Sequence, residues 1–331
     1  MDTIAIPAAQ KLIQTAFEAS NVSAQNARSV ALALVAAEVD GQAGHGFSRV
    51  ASYAAQARSG KVDGHAQPVS RMLAPAALGI DAAHGFAFPA MDLAIDQLPA
   101  LAREFGIAAA SITRSHHCGQ LTAHVEKLAR AGLVTLMFAN TPKAMAPWGG
   151  NAPLFGTNPI AFSAPMHPHP LVIDLSLSKV ARGKVMAASK KGDPIPEGWA
   201  LDAAGQPTTD AKAALAGSMI PAGDAKGAAL ALMVEVLAAS LTGANHSFEA
   251  SSFFDAAGTS PGVGQLLIAI DAHKVGGPGF AERLATLANA IIGQGNTRLP
   301  GSSRSAKRTA AMDNGIAISA AMRAEIEGLA K

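Results

Sequence analysis

The chain has 331 residues, 49% hydrophobic and 15% charged, with a formal net charge of +2 and a single cysteine. That size and apolar fraction supply one large core or two ordinary ones and exclude a disordered chain. A weak net charge without blocks of like charge argues against nucleic acid or a membrane surface as partner and leaves room for a small anionic ligand.

The start, "MDTIAIPAAQ", carries an early Asp and no long apolar run, so it does not read as a secretory signal. Lone Cys118 allows no internal disulfide and points to a reducing cytoplasm. Residues 8–19 and 24–39 read as helices, with Ser23 as N-cap and Asp40-Gly41 as the stop. A third helix is expected from near Gly46 through "FSRVASYAAQARSG". "VSRMLA" and "ALGIDA" have strand character, residues 91–104 are helical, 106–113 a strand, 119–131 a helix and 133–140 a buried strand. "NPIAFSAP" and "LVIDLS" are strands around the turn "MHPHP". Residues 178–190 are helical, "PEGWALDAAGQPTTDA" is a loop, 224–242 is the strongest helix and 265–271 a strand. Helices at 280–292 and 316–329 close the chain. The longest apolar stretch, around Ala228 to Ala239, contains Glu235 and is too short to span a bilayer. The pattern is mixed α/β with a helical entry, without repeats or a long linker.

Common nucleotide and catalytic signatures are missing. Gly44-x-Gly46 and Gly262-x-Gly264 lack the third glycine of a dinucleotide fingerprint, and Gly60-Lys61 and Gly183-Lys184 are followed by Val. There is no G-x-S-x-G and no H-E-x-x-H.

Three stretches carry chemistry. In "DGQAGHGFSR", glycines flank His45 and admit close approach of a ligand, and Arg49 follows one turn later. An Arg fork matches a carboxylate and a histidine can give or take a proton at neutral pH, a pairing suited to a 2-oxo acid. A capping His with a surface Arg is the plain alternative. In "SHHCGQLTAH", His117 and His124 stand seven apart on one expected helix face beside Cys118, without the three or four convergent ligands a metal needs. The polar loop before that helix fits either an anion at a helix N-terminus or a simple cap. In "MIPAGDAKGAALALMVE", Gly223, Asp224 and Gly227 free the backbone at a helix start and Lys226 adds a donor, while an Asp-capped core helix reads equally well.

Taken in order, "HGFSRVASY", "SHHCGQ", "PLFGTNPIAF", "VIDLSLSKVARGKV", "PEGWALDAAGQPTTD", "GDAKGAALALMVEVLAASLTGA" and "RLPGSSR" resemble, nearly end to end, the malate/L-lactate dehydrogenase family that lacks the Rossmann fold. The wording is most similar to its (2R)-3-sulfolactate dehydrogenase branch. The resemblance implies an α/β, L-sulfolactate dehydrogenase-like fold with a mixed, largely antiparallel sheet flanked by helices. It implies a helical substrate and dimerisation domain (1–105 with 296–331), an NAD(P)-binding domain (106–295), a homodimer, and NADP or NAD as cofactor.

It also implies roles. His45 is the proton donor or acceptor, Arg49 the carboxylate clamp, and Thr157 and His117 are substrate contacts. Cofactor contacts are His117, Cys118, Gly119, Gln120, Leu121, Asp174, Leu175, Ser176, Arg182, Gly183, Lys226, Arg298, Leu299, Pro300, Gly301 and Arg304, with no metal. There are departures. Gly44 stands where the family usually has Ser, Lys184 where the ketimine reductases of the family carry Asp, and Ala225 where many members have His. Lys184 adds a cation that suits a second anionic group, as in sulfopyruvate or oxaloacetate, better than an imino acid. The implied reaction reduces a 2-oxo acid to a 2-hydroxy acid, with Δ1-pyrroline/Δ1-piperideine-2-carboxylate reduction as the alternative. Competing classes are a metal-dependent hydrolase using His116, His117 and His124, and a non-catalytic NAD(P)-binding module.

Overall fold

The computed structural model describes residues 2–331. Strand β1 (Asp2–Ile4) leads into α1 (Ile6–Glu18) and α2 (Ala24–Val39). Ser23 Oγ accepts the Asn26 N–H and caps α2, and Gly41, at φ +74°, turns the chain out after Asp40. The third helix does not start at Gly46. Two 3₁₀ turns, Ala43–His45 and Phe47–Arg49, come first, and α3 spans Val50–Arg58. The cause is local: Gly46 breaks the helical path at φ −108°, ψ −128°, and the Glu38 carboxylate accepts the Phe47 N–H at 2.6 Å. A Cβ at Gly46 would sit 2.3 Å from that carboxylate, so any larger residue would have to displace Glu38.

Next come β2 (Val69–Ala74), β3 (Ala77–Asp81), α4 (Ala87–Phe105), β4 (Ile107–Ser115), α5 (Thr122–Arg130), β5 (Leu133–Ala139), β6 (Ile160–Ala164) and β7 (Leu171–Leu175). An excursion follows with α6 (Arg182–Lys191), β8 (Ala200–Leu201), β9 (Pro207–Thr208), α7 (Ala211–Ala216), β10 (Ser218–Met219) and α8 (Ala225–Glu235), which runs on as a π-helical turn to Ser240. The chain ends with β11 (Val263–Asp271), α9 (Ala272–Gly276), α10 (Phe280–Ile292), α11 (Ser303–Asn314), β12 (Ile316–Ile318) and α12 (Ala320–Leu329). The expected helix 316–329 is thus a strand and a shorter helix, and helix 119–131 begins only at Thr122.

The main sheet has the order β2-β3-β4-β11-β5-β6-β7, and only β3 and β4 run parallel. Strands β2 and β3 join this sheet although they lie within residues 1–105. One face of the sheet packs on α4 and α5 through Met91, Leu98, Val125 and Leu128. The other meets α8 through Phe138, Leu266, Val234 and Ala238. Both faces are covered, so the central strands read as continuous apolar runs: Ala108, Ala110 and Ile112 of β4 enter the first core, while Ala109 faces the second. A third core joins α1, α2 and α3 to β12 and α12 through Phe17, Leu34, Tyr53 and Ile326. Strand β1 pairs with β12. Among the described residues no helix is long and apolar enough to cross a membrane.

The register aligns one end of the sheet. Ser115 faces Val263, Gln265 faces Ala139, Phe138 faces Ile160, and Ile160 faces Leu175. The C-terminal ends of β4, β5 and β7 and the N-terminal ends of β11 and β6 therefore share a rim of four strand spacings, about 19 Å.

Candidate active site

Strand β4 delivers His116 and His117 to this rim, and the paired 3₁₀ turns place His45 and Arg49 beside them. The His45 and His117 rings stack with centroids 5.2 Å apart and planes 14° from parallel. Tyr53, wholly buried on α3, hydrogen-bonds His117 Nδ1 through its hydroxyl. His45 Nδ1 is buried without a partner. Arg49 Nε donates to the Gly44 carbonyl at 2.7 Å, and the Phe254 ring lies 4.6 Å from the guanidinium carbon. Both Nη groups are left without a protein acceptor, so the fork is free to receive a carboxylate. His45 and Arg49 sit on successive 3₁₀ turns and not on one helix face, yet they remain close enough to interact electrostatically.

Charge is scarce around these rings. Burial, and then the Arg49 charge, push His45 down to about 4. Burial is also the main cause that lowers His116 to about 3, His124 to about 4, and His117 well below its ordinary value. Burial pushes Cys118 up to about 12, leaving an inert thiol. His116 Nε2 donates to Gln56 Oε1 at 2.8 Å and His124 Nε2 donates to the Cys118 carbonyl at 2.8 Å. The three histidines of the hydrolase reading thus have separate structural partners, and His117 precedes α5 and shares no helix face with His124. Among the described residues no group of three His, Cys, Asp or Glu is placed to hold a metal ion.

The loop from Cys118 to Leu121 connects this cluster to β7. Gly119 takes φ +70° against the Phe88 ring. Gln120 Nε2 donates to Asp40 Oδ2 at 3.0 Å. The Thr122 N–H and hydroxyl donate to Asp174 Oδ2 at 2.8 and 3.0 Å. The start of α5, read from sequence as a candidate phosphate site, is therefore filled by the chain's own carboxylate.

The remaining stretches meet along one backbone ladder. The Leu177 N–H donates to the Thr157 carbonyl, Ala222 N–H to Leu177, and Lys179 N–H to Ile220, each at 2.8 Å. Asp174, Leu175 and Ser176 enter this ladder, and α6 and α8 start just beyond it. Neither helix has a side-chain cap; Asp224, at φ +55°, makes no capping bond. Gly183 and Gly223 face open space, and Lys184 and Lys226 stand exposed in the first turns. Free N–H groups with nearby cations fit the pyrophosphate of a dinucleotide. Arg304 donates to the Val172 carbonyl at 3.1 Å and to Thr122 Oγ1 at 3.3 Å. With Leu299, Pro300 and Gly301 it lines a cavity of about 390 Å³ beside β7, and Arg298 stands exposed outside that lining. Arg182 points back to the Leu215 carbonyl, and Lys184 forms no side-chain hydrogen bond or ion pair with the described residues.

Sequence reading missed several supports. Asn158, next to Thr157, donates to the Ala231 carbonyl at 3.0 Å and to buried Glu235 at 2.9 Å, and the Ser247 hydroxyl donates to the same carboxylate. The available signal was a lone acid inside an apolar helix. Tyr53, Gln56, Phe253 and Phe254 gave none, because they reach the site from segments up to 200 residues apart.

The sequence profile of malate/L-lactate dehydrogenase matches residues 4–327. The (2R)-3-sulfolactate dehydrogenase (NADP(+)) of Chromohalobacter salexigens is 54% identical over 92% of this chain and 91% of its own. The Δ1-pyrroline-2-carboxylate/Δ1-piperideine-2-carboxylate reductase of Pseudomonas putida is 41% identical over 97% and 94%. Among solved structures, Δ1-piperideine-2-carboxylate reductase from Pseudomonas syringae pv. tomato superposes with a TM-score of 0.95 at 40% identity, covering 99% of this chain and 100% of that one. Sulfolactate dehydrogenase from Methanocaldococcus jannaschii does so with a TM-score of 0.88 at 25% identity, covering 99% and 96%. Sequence over nearly its whole length and fold over all of it agree, and the chain belongs to the malate/L-lactate dehydrogenase family.

Proposed function

We propose that the chain is an NADP-dependent dehydrogenase that interconverts a 2-hydroxy acid and a 2-oxo acid bearing a second negative charge, of the sulfolactate type. The observation that carries this is a guanidinium with two free Nη groups beside a histidine with a free, buried ring nitrogen. The 54% identity to an NADP(+)-dependent sulfolactate dehydrogenase supports the substrate class and the cofactor. The residues that the resemblance gives to a ketimine relay are Gly44 and Lys184 here, which favours the oxo acid over the imino acid.

The nicotinamide, when bound, supplies the hydride that reaches C2 of the acid. Arg49 holds the carboxylate through its Nη pair, which sets the adjacent carbonyl toward His45. Burial is the larger cause that depresses His45, and the bound carboxylate offsets the smaller one, the Arg49 charge, which makes it easier for the imidazole to carry a proton once the acid is bound. His45 then gives that proton to the oxygen as negative charge develops there, and in the reverse direction removes it. His117, fixed by Tyr53, holds the His45 ring flat, and Phe253 closes the back of both His116 and His117. The free N–H groups at the starts of α6 and α8, with Gly183, Lys226, Ser176 and Arg304, would hold the dinucleotide.

Lys184, unpartnered in the first turn of α6, is the cation proposed for the second charge of the acid. A homodimer is also part of the reading. It is supported by the exposed apolar row Leu230, Met233, Val236 and Leu241 on α8 and its extension, more than solvent contact alone favours. We place the helical substrate part in 1–105 with 296–331 and the cofactor part in 106–295, the two sharing β2 and β3 through the common sheet. A cytoplasmic setting rests on the single thiol.

The test is turnover at 340 nm with NADPH and NADH against sulfopyruvate, oxaloacetate, pyruvate and Δ1-pyrroline-2-carboxylate. The two dianions should show the highest kcat/KM, with NADPH preferred. A clear preference for the cyclic imino acid overturns the reading. Lys184→Ala should narrow the gap between sulfopyruvate and pyruvate, whereas equal weakening of all acids assigns Lys184 to the cofactor.

A further inference from the structure

The loop from Ser247 to Gly262 carries two adjacent phenylalanines to the rim. Phe253 is buried, its ring 5.2 Å from both His116 and His117. Phe254 turns the other way, lies over the Arg49 guanidinium and keeps 42% of its surface exposed. The loop tip is tied down firmly. Lys61 Nζ, fully buried, donates to the Ser252 carbonyl at 2.7 Å and the Asp255 carbonyl at 3.0 Å, and pairs with Asp255 Oδ1 at 3.4 Å. Gln56 Nε2 donates to the Phe253 carbonyl at 2.9 Å while its Oε1 takes the His116 Nε2–H. Gln56 lies on α3 and Lys61 just after it, and α3 begins directly after Arg49. The clamp and the aromatic wall over it therefore share one support, and their spacing is fixed.

We propose that Phe254 determines substrate specificity by limiting what the acid can carry on C3. The Gly44 carbonyl occupies Arg49 Nε and Phe254 occupies one face of the guanidinium, so a carboxylate can dock only at the Nη edge, in the guanidinium plane. An acid held this way runs alongside the Phe254 ring. On this proposal the exposed ring leaves room for a single CH₂ at C3 and would be met by a branch there. Stacking also holds the guanidinium against rotation, which keeps the carbonyl aimed at His45. This inference rests on the proposed role of Arg49, but not on which acid is the natural substrate.

The experiment compares Phe254→Ala and Phe254→Tyr with the wild type. Each is assayed on the acid the wild type turns over best and on the same acid bearing a methyl group at C3. In Phe254→Ala, KM for the unbranched acid should rise about tenfold, KM for NADPH should stay unchanged, and the preference for the unbranched acid should shrink at least tenfold. Phe254→Tyr should restore the discrimination. An unchanged preference in Phe254→Ala, or equal losses on both acids together with a raised KM for NADPH, overturns the proposal. A wild type that prefers a cyclic imino acid refutes the sulfolactate reading alone, because the methyl comparison is then made on that imino acid.

Discussion

His45 stays neutral in the free protein down to a pH of about 4, because burial and the Arg49 charge both oppose its protonation. The consequence differs with direction. For oxidation of the hydroxy acid, His45 is already the required base, so kcat/KM measured at fixed NADP should hold level from pH 8 to about 5 and fall only below that. For reduction a proton must be taken up with the acid, so kcat/KM should climb as pH falls, by up to about tenfold per unit. His45→Ala should lower kcat by roughly 10²- to 10⁴-fold in both directions and flatten both profiles. Cofactor affinity, read by NADPH fluorescence titration, should barely change. Near-normal kcat in that variant would remove His45 from the chemistry.

Among the elements, α11 shows best what a sequence conceals. Its stretch "SRSAKRTAAMDN" has no apolar stripe, and none of its residues is buried, so periodicity offers nothing to read. The helix is held by Arg308, whose fork meets Asp40 Oδ1 and Oδ2 at 2.6 and 2.9 Å and Glu126 Oε1 and Oε2 at 2.7 and 2.8 Å. Asp40 ends α2 and Glu126 lies on α5; both carboxylates are buried. Arg308→Ala leaves Asp40 with only the Gln120 amide and Glu126 with only Arg130, and should cost about 3 kcal/mol in urea unfolding. Arg308→Lys should recover only part, since an ammonium cannot fork to two carboxylates. A loss within 0.5 kcal/mol would show the ion pairs to be idle. The strands were legible for the opposite reason: β4, β5, β6, β7 and β11 are apolar runs bounded by turn residues. Ile316–Ile318 is not separable by sequence from the helix that follows, because three residues define no period and its pairing partner, Asp2–Ile4, lies more than 300 positions away. His45, Arg49 and His117 stood out by residue type and glycine context. Their supports did not, since packing partners such as Phe254 and Gln56 are chosen by the fold and not by spacing.

For the molecule as a whole, neutral buried histidines make stability depend on acid. His116, His117 and His124 are all buried and all depressed, the first to about 3 and the last to about 4. In the unfolded chain each titrates near 6.5. Below that value the unfolded state binds protons that the native state refuses, so stability is complete above roughly pH 6.5 and drains away as pH falls. At pH 5 His116 and His124 each cost roughly 2 kcal/mol, a large share of the stability of many domains, and His117 adds to the loss in the same direction. Tm should therefore drop steeply between pH 6.5 and 4.5, and His124→Asn should flatten that slope. A Tm independent of pH across this window would mean that these rings are charged in the native state.

The pairing of β1 with β12 has a consequence for how the protein is made. Helices α1, α2 and α3 leave the ribosome well before the partners that close their core, Ile316, Ile318 and Ile326. During most of translation the segment that holds His45 and Arg49 waits with part of its apolar face uncovered, while the central sheet forms between. Nascent chains arrested before residue 303 should expose that face to chaperones and resist degradation poorly, and protection should appear only when residues 316–326 have emerged. The segment that carries His45 and Arg49 thus gains its full support only once residues 316–326 have docked on it.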